Sequence, residues 1–207
     1  MRKSLEIEIR IVRRKLSQSA VRALTGAQKY DWILFTSKNA VNFFAQELRE
    51  RQIVVPKKPR IGAVGEETAK AARKAGLFVD VVPVRATVDD LLKKLDVVKR
   101  DRVLFPRSAI APQGAVQILR KRGAHVTVIP LYTTLPKELS KTGKRALLAG
   151  AYSRIIFKSP SGVKGLLGQL TQAQRKIVLK IPIQCIGETT ARTARTKGFT
   201  EVSVKSV

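Results

Sequence analysis

The stretch Trp32-Ile33-Leu34-Phe35-Thr36-Ser37-Lys38-Asn39-Ala40-Val41 returns 122 residues later as Arg154-Ile155-Ile156-Phe157-Lys158-Ser159-Pro160-Ser161-Gly162-Val163. Each copy opens on a compact apolar run, the pattern of a buried strand. Each then passes through a serine into a helix, which in the first copy carries Val41, Phe44 and Leu48 on one face. The offset holds outward from there without a gap. Tyr30, Ile33, Phe35, Ser37, Val41 and Leu48 match Tyr152, Ile155, Phe157, Ser159, Val163 and Leu170. Ile61, Gly65, Glu66, Thr68 and Ala69 match Ile183, Gly187, Glu188, Thr190 and Ala191. Ala72, Arg73, Gly76 and Val82 match Ala194, Arg195, Gly198 and Val204, fifteen identities in one register. Chance would supply a few. The chain contains one α/β unit twice.

The same reading extends to the rest of the chain. Leu5 to Val12 alternates apolar and charged residues and reads as a strand, followed by a short helix from Ser17 to Leu24. Ile61–Val64, Val79–Val82, Val103–Phe105 and Val126–Leu131 read as further strands. Helices fall between them. One runs from Gly65 to Ala75 with Gly76 as its stop, one from Thr87 to Leu95, and one from Pro112 to Arg122. In the second copy, Ile183–Ile186 and Val202–Val204 are strands around a helix from Gly187 to Gly198. Strands alternating with helices of ~10 residues predict parallel sheets with right-handed crossovers, hence flavodoxin-like α/β domains.

Composition narrows the chemistry. Cys185 is the only cysteine and His125 the only histidine, so a Cys/His metal cluster and a His-based triad are both excluded. Cys185 lies in an apolar run and reads as a small core residue. No apolar stretch reaches the ~20 residues of a membrane span, and the N-terminal segment does not resemble a signal peptide, which makes the cytoplasm the expected compartment. The 207 residues carry 41 Lys+Arg against 15 Asp+Glu, a formal charge of +26. Such a field attracts polyanions, either nucleic acid or a small polycarboxylate. Many of these cations also read as solvated helix faces.

Four matched loops join a strand's carboxyl end to a helix N-terminus, the edge where open α/β sheets bind ligands. One pair holds Ser37 with Lys38, and Lys158 with Ser159. The other holds Gly65 with Thr68, and Gly187 with Thr190. Free N–H groups, the helix dipole and hydroxyl donors favour an anion there. The serines equally suit helix N-caps, and the threonines could be satisfied within their own helices.

These residues resemble a known family. Trp32 to Val41, Val64-Gly65-Glu66-Glu67-Thr68-Ala69, Val103-Leu104-Phe105-Pro106-Arg107-Ser108, Tyr132-Thr133-Thr134, Phe157 to Gly162 and Ile186 to Ala191 follow the order found in uroporphyrinogen-III synthases. The resemblance covers roughly residues 30 to 205. It implies two flavodoxin-like parallel-sheet domains with a cleft between them, one inserted in the other. Residues 14–127 would be the inserted domain, 1–10 plus 135–207 the discontinuous one, and 11–13 and 128–134 the linkers. It further implies cyclisation of hydroxymethylbilane, a linear polycarboxylate tetrapyrrole, to uroporphyrinogen III with loss of water and inversion of ring D. No cofactor or metal takes part. Tyr132 would assist departure of the hydroxyl. Ser37, Thr68, Ser159 and Thr190 would bind carboxylates, with Gly65 and Gly187 allowing close backbone approach and Lys38 and Lys158 adding charge. The motif at Arg107-Ser108 departs from the family where Pro112-Gln113-Gly114 enters the next helix.

The repeat is also a ruler. The helix Thr87–Leu95 and the strand–helix unit Arg102–Arg122 have no counterpart in the second copy. The discontinuous domain is therefore expected to be truncated, exposing apolar sheet surface and a strand edge. The alternative function is a non-catalytic homologue whose basic surface binds nucleic acid.

Overall fold

The computed structural model describes residues 3–54 and 57–205. The chain divides into two compact units, Met1–Val12 with Thr134–Val207 (the first unit) and Arg13–Thr133 (the second). The element order is β1 (Lys3–Ile7), β2 (Ile9–Arg13), α1 (Gln18–Thr25), β3 (Trp32–Phe35), α2 (Lys38–Glu50), β4 (Arg60–Ala63) and α3 (Glu66–Lys74). Then come α4 (Val88–Lys94), β5 (Arg102–Ser108), α5 (Gly114–Lys121), β6 (His125–Pro136), α6 (Lys141–Leu148) and β7 (Tyr152–Phe157). The chain continues through α7 (Pro160–Gly168), α8 (Gln172–Val178), β8 (Ile183–Cys185), α9 (Glu188–Thr196) and β9 (Val202–Val204).

The sheet β2-β6-β5-β3-β4, in which β6, β5, β3 and β4 pair in parallel, belongs to the second unit except for residues 9–12 of β2 and 134–136 of β6. The first unit holds the all-parallel sheet β1-β7-β8-β9. β2 and β6 carry the chain across the boundary.

In the second unit, both sheet faces are packed. Ile33, Phe35, Ile61 and Leu104 face a core completed by Val41, Phe44, Leu48 and Ala72. Trp32, Leu34, Val103 and Phe105 face the other way, against Leu91, Leu92, Leu95, Val116 and Leu119 of the α4–α5 side. A strand buried on both faces must be apolar throughout, and all four residues of β3 are buried. In the first unit, Ile7, Ile155, Phe157, Ile183 and Cys185 face one core with Leu147, Val163, Leu166, Ala191 and Ala194. The opposite row is Glu6, Ile156, Gln184 and Ser203, in direct register. Glu6 and Ser203 are exposed, as is Arg154, while Ile156 and Gln184 are half-buried.

Several expectations are corrected. The discontinuous domain does not expose an apolar sheet face, because the positions matching Trp32, Gly62 and Val81 are Arg154, Gln184 and Ser203. β1 pairs directly with β7, taking the place beside it that β5 takes beside β3. The single strand expected over Leu5 to Val12 breaks at Glu8 and serves both sheets, and the Glu8 carbonyl accepts the N–H of Lys137 at 2.9 Å. Val79–Val82 is no ladder strand but one bridge, Gly62 to Val81. Its neighbour Asp80 turns its side chain to the Ile61 N–H at 2.7 Å, which occupies the donor a longer ladder would use. Among the described residues, no helix is long and apolar enough to cross a membrane.

Candidate functional site

The serine caps form as their sequence position demands. Ser37 Oγ accepts the Ala40 N–H at 3.1 Å at the head of α2, and Ser159 Oγ accepts the Gly162 N–H at 3.3 Å at the head of α7. Each cap loop is tied to the neighbouring strand–helix loop by a backbone bond, Val64 N–H to Phe35 O at 3.0 Å and Ile186 N–H to Phe157 O at 3.2 Å. The carboxyl edge of each sheet thus presents two helix N-termini side by side.

The two termini of each pair differ electrostatically. α2 and α7 carry no acid in their first turn, so their dipole ends are uncompensated. α3 begins with Glu66 and Glu67, and α9 with Glu188, which already supply negative charge there. Glu66 and Glu188 pair with Arg73 and Arg195, each at 2.7 Å. An incoming anion is therefore favoured at α2 and α7 over α3 and α9.

The Ser37 hydroxyl lies 2.9 Å from the Tyr132 hydroxyl, and either oxygen can donate. Tyr132 comes from β6 and is only 6% exposed. Its ring stacks on Phe43 of α2, with centroids 5.4 Å apart and planes at 23°. The ring is clamped between sheet and helix while its oxygen meets the cap. Thr68 and Thr190 are buried in the first turns of α3 and α9. Neither hydroxyl has a hydrogen-bond partner among the described residues, although the half-buried Thr193 and the exposed Thr196 bond back to the carbonyl one turn earlier. Both hydroxyls keep access to solvent and remain available as donors.

The glycines differ between the copies. A Cβ on Gly65 would stand 2.7 Å from the Cβ of Ala86, whereas one on Gly187 would meet nothing within 4 Å. Close packing requires the first; open space surrounds the second. Lys38 is exposed. Lys158 is engaged with Glu6 at 2.5 Å, so its charge is already answered. Ser159 also shares a 2.9 Å hydroxyl contact with Ser161.

Phe43 is not among the residues expected at the site, and Arg107 is expected only as part of the motif that departs from the family. Phe43 sits beside the core residue Phe44, and nothing in the helical pattern says that it meets Tyr132. Arg107, at the end of β5, is 4% exposed. Its guanidinium donates to Pro112 O and lies over the Phe105 ring, 4.9 Å from the centroid, while Nη1 has no partner. Burial pushes the Arg107 pKa below its ordinary value, and nearby Tyr132 opposes the shift. The signal in the sequence is an arginine closing the buried run Val103–Arg107 of β5. Cys185 is a buried core residue whose thiol pKa is raised by burial.

The fold and site define a two-unit parallel α/β protein with serine-capped helix N-termini at each sheet's carboxyl edge and one tyrosine seated on such a cap. The uroporphyrinogen-III synthase HemD family model matches residues 7–207, and the chain belongs to that family. It is 31% identical over 180 residues to the porphyrin biosynthesis protein HemD of Ruminiclostridium josui. That match covers 84% of this chain and 35% of the relative, so the chain spans about a third of that protein's length. It is 26% identical over 170 residues to the uroporphyrinogen-III synthase of Chlorobaculum parvum, covering 79% of this chain and 68% of the relative. Crystal structures of uroporphyrinogen III synthase share the fold. A mutant form from Thermus thermophilus matches with TM-score 0.65 and 21% identity, over 94% of this chain and 80% of that one. The Helicobacter pylori protein matches with TM-score 0.62 and 20% identity, over 99% and 92% of the two chains.

Proposed function

We propose that this protein is a uroporphyrinogen-III synthase, a cyclising hydro-lyase that converts hydroxymethylbilane to uroporphyrinogen III with inversion of ring D. The observation that carries the reading is the Ser37–Tyr132 hydrogen bond at the head of α2. Ser37 Oγ already accepts the Ala40 N–H. When it donates its own proton to Tyr132, the phenolic proton is free to point at the substrate. Tyr132 then protonates the terminal hydroxyl as it leaves as water, and the cationic pyrrole closes on ring D to a spiro intermediate. Fragmentation and reclosure invert the ring, and the proton lost on rearomatisation restores Tyr132.

Substrate carboxylates suit the uncompensated N-termini of α2 and α7, with Ser37 and Ser159 as caps and Lys38 as a free cation. The unpartnered Thr68 and Thr190 hydroxyls add donors, and Gly187 leaves its backbone open to close approach, whereas Gly65 is packed against Ala86. Lys158 contributes only if its pair with Glu6 opens. No step calls for a cofactor. The test is the isomer formed when purified protein meets hydroxymethylbilane. The reading expects the type III product, and type I alone, the product of spontaneous closure, would refute it.

A further inference from the structure

The proposed reaction uses the carboxyl edge of the second unit's sheet, and a group of cations stands at the opposite edge. There β4, β3, β5 and β6 begin side by side at Arg60, Trp32, Arg102 and His125. Arg60 N–H bonds to Asp31 O and Asp31 N–H to Arg102 O, both at 2.9 Å. Arg60 and Arg102 therefore flank one residue on adjacent strands, about 10 Å apart at strand spacing. Lys57 and Lys58 lead into β4, and Arg100 leads into β5; all three are exposed.

The acids of this edge are turned to other work. Asp31 accepts the Arg102 N–H at 2.8 Å, Asp80 the Ile61 N–H at 2.7 Å, and Asp101 the Val98 N–H at 2.9 Å. Asp96 pairs with Arg60 at 2.7 Å. Lys57, Lys58, Arg100 and Arg102 have no acid partner among the described residues. Two guanidinium groups lie over buried rings, Arg60 over Trp32 at 4.2 Å and Arg102 over Tyr30 at 5.2 Å from the ring centroid.

Phe78 is 80% exposed and lines a recess together with Lys57, Lys58 and Arg60. A large apolar ring held in water among cations is unfavourable unless something covers it. An aromatic face beside a row of cations is the chemistry that holds single-stranded nucleic acid, with bases on the ring and phosphates on the cations. A purely acidic polypeptide would satisfy the cations and leave Phe78 bare.

We propose that the amino edge of the second unit's sheet is a binding surface for single-stranded nucleic acid, separate from the site at the other edge. The proposal stands whether or not the chain cyclises hydroxymethylbilane. The test is fluorescence anisotropy of a labelled oligouridylate of ~15 nucleotides, with polyglutamate as the competing polyanion, on the full chain. Engagement of about four phosphates gives a slope of about −3 in log K against log salt. Lys57→Glu with Lys58→Glu is expected to weaken oligouridylate binding at least tenfold. Phe78→Ala is expected to weaken it at least fivefold while leaving polyglutamate binding unchanged. Both variants should keep the wild-type product isomer. Oligouridylate binding unaffected by these substitutions overturns the proposal. So does polyglutamate binding as tightly as the oligonucleotide, which would mark the surface as one for an acidic protein.

Discussion

The two units share a repeat, but one sheet is buried on both faces and the other on one. At matched positions the second unit has Trp32, Leu34, Gly62 and Val81, and the first has Arg154, Ile156, Gln184 and Ser203. Where α4 and α5 cover the sheet, the chain supplies apolar residues and a glycine. A Cβ on Gly62 would lie 2.9 Å from Leu34 and 3.1 Å from Leu95. Where no such core forms, the same row is polar apart from the half-buried Ile156. Identities persist where both units pack alike, as at Ile33 and Ile155 or Phe35 and Phe157, and fail where only one face is covered. The first unit's sequence thus suits an open, solvated sheet face.

The largest expected effect breaks this comparison at its centre. Trp32→Ala should cost about 3–5 kcal/mol of stability by removing a fully packed ring, while Arg154→Ala should stay within about 0.5 kcal/mol. Amide hydrogen exchange, read separately over β3 and β7, distinguishes the units without assuming that they unfold together. Equal losses would contradict the one-faced reading. Next in size, Gly62→Ala should cost about 1–3 kcal/mol by overpacking against Leu34 and Leu95, whereas Gln184→Ala should be nearly neutral. Urea unfolding of both variants gives the comparison. The smallest effect concerns pH. The Glu8 carboxyl is held below its ordinary range, first by its hydrogen bond to Lys137. Its contribution is present above the unfolded carboxylate pKa of about 4.3 and fades as pH falls through the lower folded value. Glu8→Gln should lower the first unit's stability slightly at neutral pH, with the difference from wild type shrinking to nothing as pH falls through the folded value, so that the acid limb flattens.

The asymmetry reaches the candidate site. Phe43, which stacks on Tyr132, corresponds to Gly165, where a Cβ would fall 2.1 Å from Pro136. One unit seats a tyrosine on its helix, while the other lets a proline close in. Glu47 corresponds to Gln169. Glu47 is buried between Arg13 and Arg51, whereas Gln169 holds the Leu139 N–H at 2.8 Å. The same helix position thus anchors a different segment in each unit, by charge in one and by a neutral amide in the other.

Much of this was legible beforehand. The apolar run Trp32–Phe35, the serine caps and the glycine stops report local physics, and each lies where its pattern indicates. The break at Glu8 was not legible, because alternation continues through it and only the competing sheets divide the strand. α8 was missed because Gln172–Val178 is short and polar on most of its surface, although Thr171 and Gln174 form a capping box. The meeting of Ser37 with Tyr132 joins residues 95 apart. Periodicity cannot report such a pair, since it depends on which strands become neighbours.

The most direct test of the functional account is the product isomer ratio from hydroxymethylbilane, measured with wild type, Tyr132→Phe and Ser37→Gly. Glycine at the cap preserves most of the helix start while removing the hydroxyl. The account predicts type III from wild type, a rate at least tenfold lower from Tyr132→Phe, and no further loss when Ser37→Gly is added to Tyr132→Phe. Type I product alone from the wild-type protein would contradict it.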